Sequence, residues 1–165
     1  MYLVFLLCAM CSAYFALTYL YWGFFEGGLP PAFRRRSLYS ILGISVFMLA
    51  VFTGVYLMPS MDVGIGNRIL HACGGGFLAY LVCFLVVRDS GLRISRFRFF
   101  IFTFLVVTAL GVANEMLEFL LQSTTDLIFS PTPTDTWLDL ASNLVGTLIA
   151  AAPITFLLEK KRSDN

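Results

Sequence analysis

The chain has 165 residues, 59% of them hydrophobic and 13% charged, with a formal net charge of +1 at pH 7. A soluble domain carries about 25% charged residues, and a nucleic-acid binder carries a basic patch, so both classes are excluded. The apolar residues fall in runs long enough to cross a bilayer, about 20 residues each, and a single all-α domain over 1–165, a polytopic membrane helical bundle, is expected.

The first run is 2–25. It has no basic segment before it and is too long for the apolar core of a removable signal, so it is read as a retained span. Its last residues include Tyr19, Tyr21, Trp22, Phe24 and Phe25, which suit an interfacial aromatic belt. Gly27, Gly28, Pro30 and Pro31 end it, and Arg34, Arg35 and Arg36 follow. The second run covers 38–58 and leads into the turn-rich loop MPSMDVGIGN. The third covers 68–87 and ends in the basic loop RDSGLRISRFR. The fourth covers 99–121, the loop after it has no basic residue, and the fifth covers 136–158 before the basic tail EKKRSDN. Cys8, Cys11, Cys73 and Cys83 all lie in apolar runs and are read as thiols packed like small hydrophobes.

Basic clusters thus occupy alternate loops. By the positive-inside rule, five transmembrane helices result in a cell (cytoplasmic) membrane, with the N-terminus outside and the C-terminus in the cytoplasm. The polar residues then share one depth. Arg68 and His71 begin the third span, and Glu115 and Glu118 lie one to two turns inside the end of the fourth. Asp135, Asp139 and Asn143 follow at intervals of four from the start of the fifth. At 1.5 Å per residue, Asp139 lies about 6 Å and Asn143 about 12 Å below Asp135. Spacings of three and four put such residues on one helix face.

Ionisable groups inside spans are costly and mark function by default. Glu115 and Glu118 are either a helix-end pair turned to the headgroups or a buried pair, in which one carboxyl keeps a proton or a cation intervenes. Asp135 reads best as a helix N-cap; Asp139 and Asn143 lie too deep for that role. His71 is divided between a structural hydrogen bonder and a site ligand, and Arg68 is the counter-ion for the acids or the holder of an anionic headgroup. Glu115, Glu118 and Asp139 are the candidate catalytic residues, with His71, Arg68, Asp135 and Asn143 as binding residues. No metal signature fixes a ligand set. A divalent cation is nonetheless an expected occupant: the oxygen-rich set suits Mg²⁺, Ca²⁺ or Mn²⁺, with Zn²⁺ entering through His71. Gly74, Gly75 and Gly76, and the series Ser142, Gly146, Ala150, are read as close-packing surfaces.

The segments NRILHACGGG, NEMLEFLLQ and DTWLDLASNLVG, in that order, resemble the VanZ-like membrane proteins, with features of the related YjdF branch, over about 67–151. The resemblance implies a cell-envelope protein of the kind linked to glycopeptide resistance, with Glu115 or Glu118, Asp139 and Asn143 as its characteristic polar positions. The chain lacks the basic residue often found between the acidic helix and the last span. Three function classes follow. The first is a site that binds or modifies a lipid headgroup, a lipid-linked envelope precursor or an antibiotic. The second is a structural partner protein with a helix-gluing polar cluster, and the third a cation- or proton-coupled transporter. Five spans do not divide into two equal inverted halves, which counts against the third.

Overall fold

The computed structural model describes residues 2–28, 30, 35–57, 62–125 and 132–158. These form helices and no strands: α1 (Tyr2–Phe25), α2 (Arg35–Tyr56), α3 (Val63–Leu70), a π-helix (His71–Leu78), α4 (Ala79–Ser90), α5 (Arg96–Thr124) and α6 (Pro133–Leu157). From α3 through α4 the chain is one uninterrupted rod. Among the described residues, four stretches are long and apolar enough to cross a membrane: Arg35–Val55, Gly64–Ser90, Arg96–Thr124 and Pro133–Leu157. Their outward faces carry large apolar side chains such as Leu105, Met116, Phe119 and Ile149, as lipid-facing helices do.

The helix starts are fixed by local hydrogen bonds that the apolar pattern does not report. Asp62 caps α3, its carboxylate accepting from the Gly64 and Ile65 amides at 2.9 and 3.2 Å. The expected loop over 58–67 therefore gives way to helix at Val63. Ser95 caps α5 within the basic loop. The preceding turn needs Gly91, whose φ of 73° is left-handed, a conformation that costs glycine little.

The largest interface lies between the π-helix and α6. A Cβ on Gly76 would collide with the α6 backbone at Asn143, Gly146 and Thr147, and one on Gly146 would collide with the Ala72 carbonyl. The two backbones are in contact, as the small residues predict. Of the expected series Gly146 and Ala150 are buried, on the same face as Asp139 and Asn143, and only Ser142 departs. Asp139, Asn143, Gly146, Thr147, Ala150 and Ile154 are buried, whereas Ser142 is only half-buried and its hydroxyl returns to the Leu138 carbonyl.

The aromatic end of α1 is only in part an exposed belt, with Tyr19 and Phe24 exposed. Tyr21 is fully buried, and Tyr21, Phe24 and Phe25 converge on Phe102 of α5 with ring centroids 4.5–5.0 Å apart. Tyr14 donates to the Asp89 carboxylate at the end of α4, whereas Tyr21, two turns later, lies beside Cys83, nearer its start. So α1 runs antiparallel to α4. Strict alternation of five spans requires the two to be parallel, and the packing departs from it.

Candidate functional site

Seven polar side chains from α3, the π-helix, α5 and α6 meet at one end of the bundle. Asp139 is the hub, with its side chain 2% exposed. Arg68 Nη1 pairs with its Oδ1. Asn67 donates Nδ2 to both of its oxygens, at 3.0 and 3.3 Å. His71 Nε2 stands 3.5 Å from Oδ1. Arg68 also clamps Asp135, with Nη2 2.6 Å from Oδ1 and Nη1 3.3 Å from the main-chain carbonyl. One guanidinium thus ties the start of α6 to α3 by a forked contact that a lysine could not make.

Asp135 is not the N-cap. Thr132 is: its hydroxyl accepts from the Asp135 amide at 3.3 Å and donates to the Asp135 carboxylate at 2.7 Å. The helix therefore begins one turn earlier than the apolar run, and Asp135 sits in the first turn, where an anion suits the helix dipole and Arg68 completes its pairing.

Glu115 approaches from α5. It is 7% exposed, and neither carboxylate oxygen has a hydrogen-bond partner among the described residues. Asn114 is near, but its amide is taken by Glu118 at 2.7 Å. The nearest cationic candidate is His71, whose Nδ1 lies 3.9 Å from Glu115 Oε1. His71 therefore stands between two carboxylates, one facing each ring nitrogen. One ligand atom each from His71, Glu115 and Asp139 can be chosen so that all lie within 4.8 Å of one another. Glu118, one turn on, is half-buried and engaged with Asn114. The expected Glu115–Glu118 pair is replaced by Glu115 with Asp139 across the helix interface.

Asn143 lies one turn below. Its side chain fills the gap between Gly75 of the π-helix and Gly111 of α5, where any Cβ on Gly75 would collide with its amide oxygen. That oxygen is buried and has no hydrogen-bond partner among the described residues. Two orphaned acceptors, the Glu115 carboxylate and the Asn143 amide, thus line the same interhelical seam. Burying an unsatisfied carboxylate costs several kcal/mol, and such groups are retained where something else satisfies them.

Arg68, His71, Glu115, Asp135, Asp139 and Asn143 are brought together; Glu118 stays at the rim. Asn67 was missed, although it lies four residues before His71 and hence on its face. The π-helix was missed too: three glycines announce a close approach but not a change of hydrogen-bond register. Its i→i−5 pattern is seen where the Ala79 amide donates to the Gly74 carbonyl, and such segments are rare and concentrated at functional sites.

A family model described as "Predicted membrane protein (DUF2238)" matches residues 31–160, a stretch that includes every residue of this cluster. Neither the curated proteins nor the solved structures contain a match.

Proposed function

The chain belongs to the family of predicted membrane proteins (DUF2238), and on that premise we propose that it is an integral membrane protein of the cell envelope that binds a divalent cation between His71, Glu115 and Asp139 and through it an anionic lipid headgroup or lipid-linked precursor. The observation that carries this reading is Glu115, a buried carboxylate with no hydrogen bond, facing an imidazole and a second carboxylate.

Charge makes the argument quantitative. Glu115, Asp135 and Asp139 are three carboxylates and Arg68 is one guanidinium, so with His71 neutral two negative charges are uncompensated. A divalent cation balances them. Magnesium, manganese and zinc fit three protein donors with coordination positions left for water or substrate oxygen. Calcium, which takes six to eight oxygens, is served less well. A bound cation of this kind supplies Lewis acidity toward a phosphoryl or carboxyl oxygen. The chain's own residues do the rest. Arg68 and Asn67 hold Asp139 in place, His71 turns one nitrogen toward the centre, and Gly75 leaves room for Asn143 below.

The distribution of basic loops puts this end of the bundle on the outer side, where envelope precursors are handled. The VanZ-like resemblance points in the same direction and adds glycopeptide resistance as a phenotype to examine. Arg68 ties Asp135 and Asp139 together as a clamp between helices, and Asp139 also faces His71 and Glu115, so it belongs to both the clamp and the ligand-binding half.

The test is metal content and thermal melting of the purified protein, before and after chelation, with add-back of Mg²⁺, Mn²⁺ or Zn²⁺. The wild type is expected to lose stability on chelation and to recover it with one of the three, and Glu115→Gln to be insensitive. Lipid phosphate carried through purification should fall in Glu115→Gln and persist in Glu118→Gln. A wild type that holds no metal and melts identically with and without chelator would overturn the reading.

A further inference from the structure

At the opposite end of the bundle lies a second feature, independent of the cation site. A groove enclosing about 440 Å³ runs between α2 and α4. Ile44 and Phe47 of α2 and Leu81 and Leu85 of α4 line its length, and Tyr39, Ser40 and Arg88 close one end. The groove is therefore apolar along its axis and cationic at one tip. Arg88 is anchored rather than free: Nε donates to Asp89 Oδ1 at 2.8 Å and Nη2 to the Ser40 hydroxyl at 3.1 Å. Its side chain is still 50% exposed, and Nη1 has no protein acceptor among the described residues. Asp89 is 2% exposed and is held from the far side by Tyr14 at 2.7 Å, so an incoming group meets the guanidinium and not the carboxylate. One turn before Tyr39, the Arg35 guanidinium lies over the Tyr39 ring, 5.8 Å from its centroid. Arg88 thus lines the closed end and a second guanidinium stands on Tyr39, which lines it too.

We infer that this groove seats an anionic phospholipid of the surrounding bilayer, its acyl chain along Ile44, Phe47, Leu81 and Leu85 and its phosphodiester between Arg88 and Arg35. Charge complementarity selects this occupant. A zwitterionic lipid fills the apolar part equally well and offers a phosphodiester, but it brings its own cation beside two guanidiniums, and an apolar helix from a partner offers nothing to either arginine. Planar guanidinium matches phosphate with paired hydrogen bonds. The same tip lies beside the basic loop 88–98, hence on the cytoplasmic side, where bilayers carry anionic headgroups that attract juxtamembrane arginines.

The test is native mass spectrometry of the detergent-purified chain incubated with dioleoylphosphatidylglycerol, dioleoylphosphatidylcholine or glycerol 3-phosphate. Phosphatidylglycerol should be retained about fivefold or more over phosphatidylcholine, the discrimination that one basic residue near an anionic surface provides, and glycerol 3-phosphate should not be retained. Arg35→Gln should lower phosphatidylglycerol retention about fivefold. Gly43→Phe, at a position that also lines the groove and has nothing within 4 Å of a new Cβ, should abolish retention of either lipid by filling the channel. Neither variant touches the buried Asp89, so both remain readable if Arg88→Gln fails to fold. Equal retention of the two lipids, retention of the soluble headgroup alone, or unchanged lipid binding in Gly43→Phe would each overturn the assignment.

Discussion

Asp135 and Asp139 lie four residues apart on one helix and share one arginine, yet the structure separates their roles. Asp139 is buried to 2% and takes Arg68, Asn67 and the approach of His71; Asp135 is 28% exposed and takes Arg68 and Thr132. Breaking a buried pair costs about 3–5 kcal/mol because the other charge is stranded, whereas a partly exposed pair is worth about 1 kcal/mol or less. Asp139→Ala is therefore expected to lower unfolding free energy by about 3–5 kcal/mol and Asp135→Ala by about 1 kcal/mol, read from denaturation in detergent micelles. Comparable losses would contradict this division. Spacing made every residue of the cluster but Asn67 visible, because three- and four-residue intervals survive any helix packing. What spacing could not supply was the choice of partners. Glu115 and Glu118 sit one turn apart on α5, but the side chain that Glu115 faces belongs to the π-helix, and only tertiary packing decides that.

The small residues of the π-helix and α6 act as one surface. Gly76 has α6 backbone where its side chain would go, while Gly43 of α2 has nothing within 4 Å. Overpacking at a rigid contact costs about 1–3 kcal/mol, and glycine to alanine in an unconstrained helix gains up to about 1 kcal/mol. Gly76→Ala should lower the melting temperature and Gly43→Ala should leave it unchanged or raise it. A Gly76→Ala protein that melts like wild type would show that the two helices can part at no cost. The close contact was legible as a run of glycines. The face of α6 was legible too, with Gly146 and Ala150 buried beside Asp139 and Asn143; what the pattern did not show is that Ser142, equally small, turns partly outward and returns its hydroxyl to the Leu138 carbonyl.

At the scale of the molecule, basic residues and apolar length identified four candidate spans correctly to within a few residues at most ends. They failed for the placement of α1, because its aromatic residues are equally good as an interfacial belt and as a packed cluster, and here Phe102 collects them. Arg96 donates to the carbonyls of Phe156 and Leu158, so the end of α6 lies beside the start of α5. The antiparallel course of α1 against α4 puts the N-terminus at that same end. Reporters fused to either terminus are therefore expected to register the same side of the membrane, the cytoplasmic one. Opposite readings at the two ends would reject the antiparallel course and restore a simple alternation of five crossings.

The rod from Val63 to Ser90 changes hydrogen-bond register at His71 and returns at Ala79. A π turn accommodates one residue more than the α turn it replaces, so the rod carries a phase offset between its two ends. Wound as α-helix with no residue removed, the rod would turn its two ends against each other, whereas deleting a single glycine from Gly74–Gly76 would remove the extra residue and keep them in phase. In the first case the half that includes Tyr80 and Asp89 would stay seated, but Asn67, Arg68 and His71 would rotate together by about 100°, one residue's share of an α turn. The glycine run is thus a vernier: it sets the angular position of three polar side chains relative to a frame that does not otherwise depend on them.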